Sequence, residues 1–120
     1  MPRLADMELT LSTRDGFTVA LTKGVLDETA REPFREKLHP LVGEKGTKLI
    51  VDLSGSPRVN SPGIGNMVAL NADANTNGSA VIFCNIQPYV SMVISVTKLD
   101  KFFSIVPDLD AAVAWCNEQP

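Results

Sequence analysis

The sequence predicts an α/β fold: a mixed β-sheet that opens with a hairpin and continues in parallel strands, with about four α-helices. Three observations predict it. Apolar and polar residues alternate over 7–11 and 17–21, on either side of the turn pair Asp15-Gly16. Leu49-Ile50-Val51 and Ala80-Val81-Ile82-Phe83-Cys84 are unbroken apolar runs of strand length, which suits strands covered on both faces. Between and after these runs, apolar residues recur at helical spacing.

In chain order, Met7, Leu9 and Leu11 alternate with Glu8, Thr10 and Ser12, and Phe17, Val19 and Leu21 repeat the pattern, so the two stretches form the hairpin. Gly24-Val25-Leu26-Asp27 ends that unit. Thr29 and Glu32 have the spacing of a capping box for a first helix, whose apolar stripe is Ala30, Phe34, Leu38, Leu41 and Val42. Pro33 sits at the edge of its first turn, where a missing N–H costs about one helical hydrogen bond.

Lys48–Leu53 is the central strand, and the turn-rich loop Ser54-Gly55-Ser56-Pro57-Arg58-Val59 follows it. Ser61-Pro62 then has the order of a helix cap and first helical residue, with Ile64, Met67, Val68 and Ala72 on one face. This second helix runs to about Asn77, with Gly78 as its left-handed stop. The strand 80–84 is next. Gln87-Pro88 opens a third helix to about Lys98. Its β-branched face (Val90, Val93, Ile94, Val96, Thr97) also fits a strand, but its length and the Pro88 start favour a helix. A short strand over Phe103–Val106 follows. Asp108 then caps a last helix with Leu109, Ala112, Val113 and Cys116 on its buried face.

With 120 residues and 44% hydrophobic content, residues 1–120 make one domain with its core over about 7–116. A net charge of −3 with scattered Lys and Arg argues against nucleic-acid binding. No apolar run spans a bilayer and no signal-peptide core is present, so a cytoplasmic location without direct membrane insertion is expected. Cys84 and Cys116 are not a redox pair and read as buried thiols.

Ser61 thus falls at the amino end of a helix, just past the carboxyl end of a central strand, where open α/β sheets bind ligands and partners. Gly24-Val25-Leu26-Asp27, Leu49-Ile50-Val51-Asp52-Leu53-Ser54-Gly55, Asn60-Ser61-Pro62-Gly63-Ile64-Gly65, Gly78 and Asn85-Ile86-Gln87-Pro88 together resemble the STAS domain family, over roughly residues 7–116. The resemblance is to the anti-sigma factor antagonist type of that family, which is bacterial and regulates transcription by protein binding. It implies that Ser61 is phosphorylated by a partner that is both serine kinase and anti-sigma factor, and that phosphorylation releases that partner. It also implies that Asp27, Asn60, Pro62, Gly63 and Ile64 meet the partner, with Ile64 at the surface. The family's motif reads Asp-Ser-Ser/Thr-Gly-Leu-Gly. Here Asn60 stands for the aspartate and Pro62 for the second hydroxyl residue, which pushes Ser61 toward extended backbone.

A phosphate on Ser61 would meet the positive end of the helix, with the amides of Gly63 and Ile64 as its expected contacts. As a plain cap, Ser61 would instead contribute about 1 kcal/mol and no signal. Asp52, inside an apolar strand, reads as a hydrogen-bonded structural carboxylate. His39 reads as a solvated helix-end residue. Gly63-Ile64-Gly65 lacks the third glycine of a dinucleotide fingerprint, His39 has no Cys or His at ligand spacing, and no nucleophile elbow surrounds Ser61. No enzyme activity, cofactor or metal is therefore expected. A monomer or weak homodimer is. Two other roles fit: a STAS scaffold or transporter-associated subunit that is never phosphorylated, and a small-ligand or nucleotide-binding domain.

Overall fold

The computed structural model describes residues 6–120. Strand β1 (Glu8–Arg14) turns at Asp15-Gly16 into β2 (Phe17–Lys23), with both turn residues at positive φ, 51° and 86°. That is the mirror-image turn whose twist matches a two-residue hairpin, and glycine accepts it without a Cβ penalty. The sheet order is β1-β2-β3-β4-β5, with β3 at Lys48–Gly55, β4 at Ala80–Cys84 and β5 at Ser104–Ile105. Only β1–β2 is antiparallel; β2–β3, β3–β4 and β4–β5 are parallel. The mixed sheet and four helical segments are those anticipated.

Helical segment α1 (28–42) is irregular. A 3-10 turn, Glu28–Ala30, leads into α-helical Arg31–Pro33, a π turn, Phe34–Leu38, and α-helical His39–Val42. Its cap is Asp27 and not Thr29: the Asp27 carboxylate accepts from the Thr29 amide at 3.0 Å. The Thr29 hydroxyl donates to the same carboxylate and accepts from the Met7 amide at 2.9 Å, tying the start of α1 to the start of β1. In a regular helix the ring of Pro40 would meet the carbonyl of Glu36. The chain widens just before it, where the His39 amide reaches back five residues to Phe34. An interior proline costs roughly 3 kcal/mol. Full burial of Phe34, Leu38 and Val42 contributes about 1.5–3 kcal/mol each, so packing keeps the segment helical.

The remaining helices are α2 (Ser61–Thr76), α3 (Pro88–Val96) and α4 (Leu109–Glu118). Gly78, at φ 73°, closes α2 as expected. The β-branched run after Pro88 is helical, and the Thr97 hydroxyl donates to the Val93 carbonyl at its end. Asp108 caps α4 through the Ala111 amide at 2.8 Å.

Helices α1, α2 and α3 share one core with Ala20, Leu49, Val51, Leu53, Val81 and Phe83. Helix α4 covers the opposite face, where Ala112, Val113 and Cys116 pack on Val19, Ile50, Ile82 and Cys84. Covering both faces explains the unbroken apolar runs of β3 and β4. Asp52 is the polar interruption. It accepts from the Ser54 amide at 2.9 Å and from Asn85 Nδ2 at 3.2 Å, as a structural carboxylate should. No described helix is long and apolar enough to cross a membrane.

Candidate functional site

The parallel strands β3 and β4 release their chains at the same end of the sheet. The loops that follow therefore gather there: 56–60 before α2, and 85–87 before α3. Residues 24–27, leaving β2, come to this end as well. The segment 58–60 runs beside them, with Leu26 and Val59 in a parallel bridge. The Leu26 amide donates to the Arg58 carbonyl at 3.0 Å, and the Asn60 amide to the Leu26 carbonyl at 3.1 Å.

This pairing fixes which residue caps α2. Asn60 is extended (φ −121°, ψ −178°), and its Oδ1 accepts from the Gly63 amide at 3.0 Å. Asn60 is thus the cap, Ser61 the first helical residue and Pro62 the second. Two sequence expectations are corrected here. Ser61 does not cap the helix, and the extended geometry that Pro62 was expected to impose on Ser61 is taken one residue earlier. The cause is the bond from Asn60 N–H to Leu26, which holds Asn60 in the extended segment and leaves Ser61 to begin the helix.

Ser61 is exposed, and its hydroxyl has no hydrogen-bond partner among the described residues. Asn60 and Pro62 are exposed beside it. The amides expected to receive a phosphate are both occupied. Gly63 N–H goes to the Asn60 side chain, and Ile64 N–H goes to the Asn60 carbonyl at 2.9 Å. An anion on Ser61 Oγ would therefore face solvent and the helix dipole, not a nest of free amides.

Gly63 is buried because α2 sits directly on the Leu26–Asp27 backbone. Ile64 is 9% exposed and packs in the main core, so its expected place on the outer surface is corrected. On a helix that starts at Ser61, position 64 lies on the face of Met67 and Ala74 and turns inward with them. Asp27 is half-buried; its carboxylate is spent on the α1 cap, and its carbonyl accepts from Asn66 Nδ2 at 3.1 Å.

Other residues, not singled out from the sequence, complete the surface. Glu28 accepts from Asn60 Nδ2 at 3.5 Å. The Arg58 guanidinium lies 5.4 Å from the centre of the Tyr89 ring, and Gln87 Nε2 donates to the Ser54 carbonyl at 2.6 Å. Tyr89 and Met92, 42% and 51% exposed, continue this end of the molecule along α3. Their signal was the topology, since loops after neighbouring parallel strands share one end of a sheet.

His39 is also corrected. It is half-buried, with Nδ1 2.8 Å from Asp73 Oδ2, and so joins α1 to α2 and not to solvent alone. Cys84 and Cys116 are both buried and free. Burial, with Asp52 and Asp108 nearby, pushes the Cys84 thiol up to about 12. Burial also raises Cys116, against a smaller opposing effect of Lys48. Neither is a thiolate near neutral pH. Among the described residues no group of three or more His, Cys, Asp or Glu is arranged to hold a metal.

The sequence matches the family model described as the STAS domain over residues 8–112. It is 21% identical over 108 residues to BtrV of Bordetella bronchiseptica, a candidate anti-sigma factor antagonist, covering 90% of this chain and 93% of that protein. The fold superimposes on an anti-sigma factor antagonist from Mycobacterium paratuberculosis with a TM-score of 0.80 at 21% identity, covering 94% and 96% of the two chains. It also superimposes on the anti-sigma factor antagonist SpoIIAA in its unphosphorylated form, with a TM-score of 0.67 at 18% identity, covering 94% and 99%.

Proposed function

Because the chain belongs to the STAS domain family, we propose that it is an anti-sigma factor antagonist that binds a serine-kinase anti-sigma factor and is switched by phosphorylation at Ser61. The observation that supports this most is the Ser61 hydroxyl: exposed, without a partner among the described residues, and held at the first turn of α2 by a backbone that is itself pinned to Leu26. A kinase can reach such a hydroxyl without unfolding the helix. The relatives described above, anti-sigma factor antagonists by name, support the same role.

The switch works at the docking surface. A phosphoserine brings about −1.5 to −2 charge. It arrives one residue after Asn60, whose side chain reaches Glu28, at a helix start where the Gly63 and Ile64 amides are already used. It therefore stays solvated, and a partner packed over Asn60, Ser61 and Pro62 must desolvate it or leave. Tyr89 and Met92 take the apolar role that Ile64, turned inward, does not fill. Asp27, Gly63 and Ile64 act from behind by holding this surface in shape. The protein acts in the bacterial cytoplasm by binding, with no catalytic chemistry of its own; ATP is the kinase's substrate.

A second reading is a STAS scaffold that is never modified. What favours it is Pro62, which stiffens the backbone next to the acceptor, and Asn60, which carries no charge there.

The test is intact mass after incubation with ATP and the cognate kinase, read beside a pull-down of that kinase. One phosphoryl group on the wild-type chain, absent from Ser61→Ala, with kinase capture lost in Ser61→Glu, is the expected result. No adduct, or an adduct that survives Ser61→Ala, overturns the switch and leaves the scaffold.

A further inference from the structure

We propose that the outer edge of β1 pairs, antiparallel and about a two-fold axis at Leu11, with β1 of a second copy of this chain. The register of the hairpin decides which groups face outward. Arg14 and Phe17 close a two-residue turn, so they form a hydrogen-bonded pair, and so do Ser12–Val19, Thr10–Leu21 and Glu8–Lys23. The odd-numbered residues of β1 therefore turn N–H and C=O away from β2. Met7 confirms the alternation: its amide points outward and is taken by Thr29. Beyond it, Leu9, Leu11 and Thr13 present an open row, and β1 ends the sheet on this side. Among the described residues none of the three enters a backbone hydrogen bond outside the strands and helices.

Open edges of this length are the ones that recruit a second strand. β5, at the other edge, is only two residues long.

Charge complementarity makes a second copy of the same strand the occupant. Folded antiparallel on itself at Leu11, the strand sets Glu8 against Arg14 of the second copy, and Arg14 against its Glu8. Thr10 meets Ser12, Leu9 meets Thr13, and Leu11 meets Leu11. The two outermost cross-strand pairs are opposite charges on the same face, and no like charges are opposed. Arg14 is already drawn toward α4 by Asp110, which fixes it on the Glu8 face. Leu11, 41% exposed on the other face, would be covered by its own copy. Leu9, Leu11 and Thr13 would exchange about six backbone hydrogen bonds with the second copy. The contact is a seam one strand wide, which places it among weak, concentration-dependent associations. It lies along the free side of the hairpin and uses none of Asn60, Ser61 and Pro62.

Sedimentation equilibrium of the full chain from micromolar to millimolar concentration tests this. The expected weight-average mass rises from 12.9 kDa toward twice that value. Leu11→Lys and Glu8→Arg, with circular dichroism showing them folded, should each raise the dissociation constant at least tenfold. An equimolar mixture of Glu8→Arg and Arg14→Glu restores both charge pairs, so it should associate more tightly than either variant alone. A mass that stays at the single-chain value overturns the proposal. So does a dimer unmoved by Leu11→Lys, or a mixture that gains nothing over its components.

Discussion

The α-carbon of Gly63 faces the carbonyl of Leu26 so closely that a Cβ built there would lie 1.7 Å from that oxygen. The first turn of α2 thus rests on the backbone of the segment between β2 and α1, and that contact positions Asn60, Ser61 and Pro62.

Gly63→Ala should therefore be costly although the substitution is small. Helix propensity alone favours alanine by up to about 1 kcal/mol. The clash is with backbone, which cannot rotate away, and relieving it must separate α2 from Leu26. A net loss of about 2–4 kcal/mol is expected in urea unfolding. A variant as stable as the wild type would mean the two segments part easily.

The cap assignment separates neighbouring residues. Asn60→Ala removes the acceptor of the Gly63 amide and should cost about 1 kcal/mol. Ser61→Ala removes a hydroxyl with no partner among the described residues and should stay within about 0.5 kcal/mol of wild type. Thermal or urea denaturation of the two variants side by side checks this. The reverse ranking would return the cap to Ser61. Near-neutral stability also keeps Ser61→Ala clean as a phosphorylation control.

Asn60→Asp restores the acidic residue of the family motif and keeps the cap geometry. An aspartate at a helix start gains about 0.3–1 kcal/mol from the dipole, partly opposed here by Glu28. The variant should be at least as stable as the wild type, with the advantage shrinking in added salt. A gain that ignores salt would argue against an electrostatic origin.

Cys84 makes stability sensitive to alkali. Its folded thiol is pushed up to about 12 from an ordinary 9.0, first by burial, then by Asp52 and Asp108. The folded chain keeps this proton while the unfolded chain loses it. Stability from this group is therefore intact below about pH 9 and declines as pH rises toward 12, by at most about 1.4 kcal/mol per pH unit. Cys84→Ala will lower stability at every pH by leaving a small void, but its unfolding free energy should fall less steeply between pH 9 and 11. Parallel slopes for variant and wild type would refute the assignment.

Much of the fold was legible because its signals are local. Asp15-Gly16 sets a hairpin by itself, Gly78 and Asp108 end and begin helices through their own backbones and side chains, and apolar runs announce two-sided burial in β3 and β4. Where two nearby residues can do the same job, the sequence does not choose. Thr29 and Asp27 both suit the start of α1, and the carboxylate takes it because Thr29 is occupied by Met7.

Ser61 and Asn60 present the same ambiguity at the functional end. The sequence alone determined that a hydroxyl residue stands where a central strand gives way to a helix. Only the tertiary structure decided that Asn60 caps that helix, that Ile64 turns inward and that the Ser61 hydroxyl is left over. The physical reason is a long-range one: a hydrogen bond to Leu26 and the absence of a side chain at Gly63 set the phase of α2, and one residue of phase rotates every side chain by about 100°.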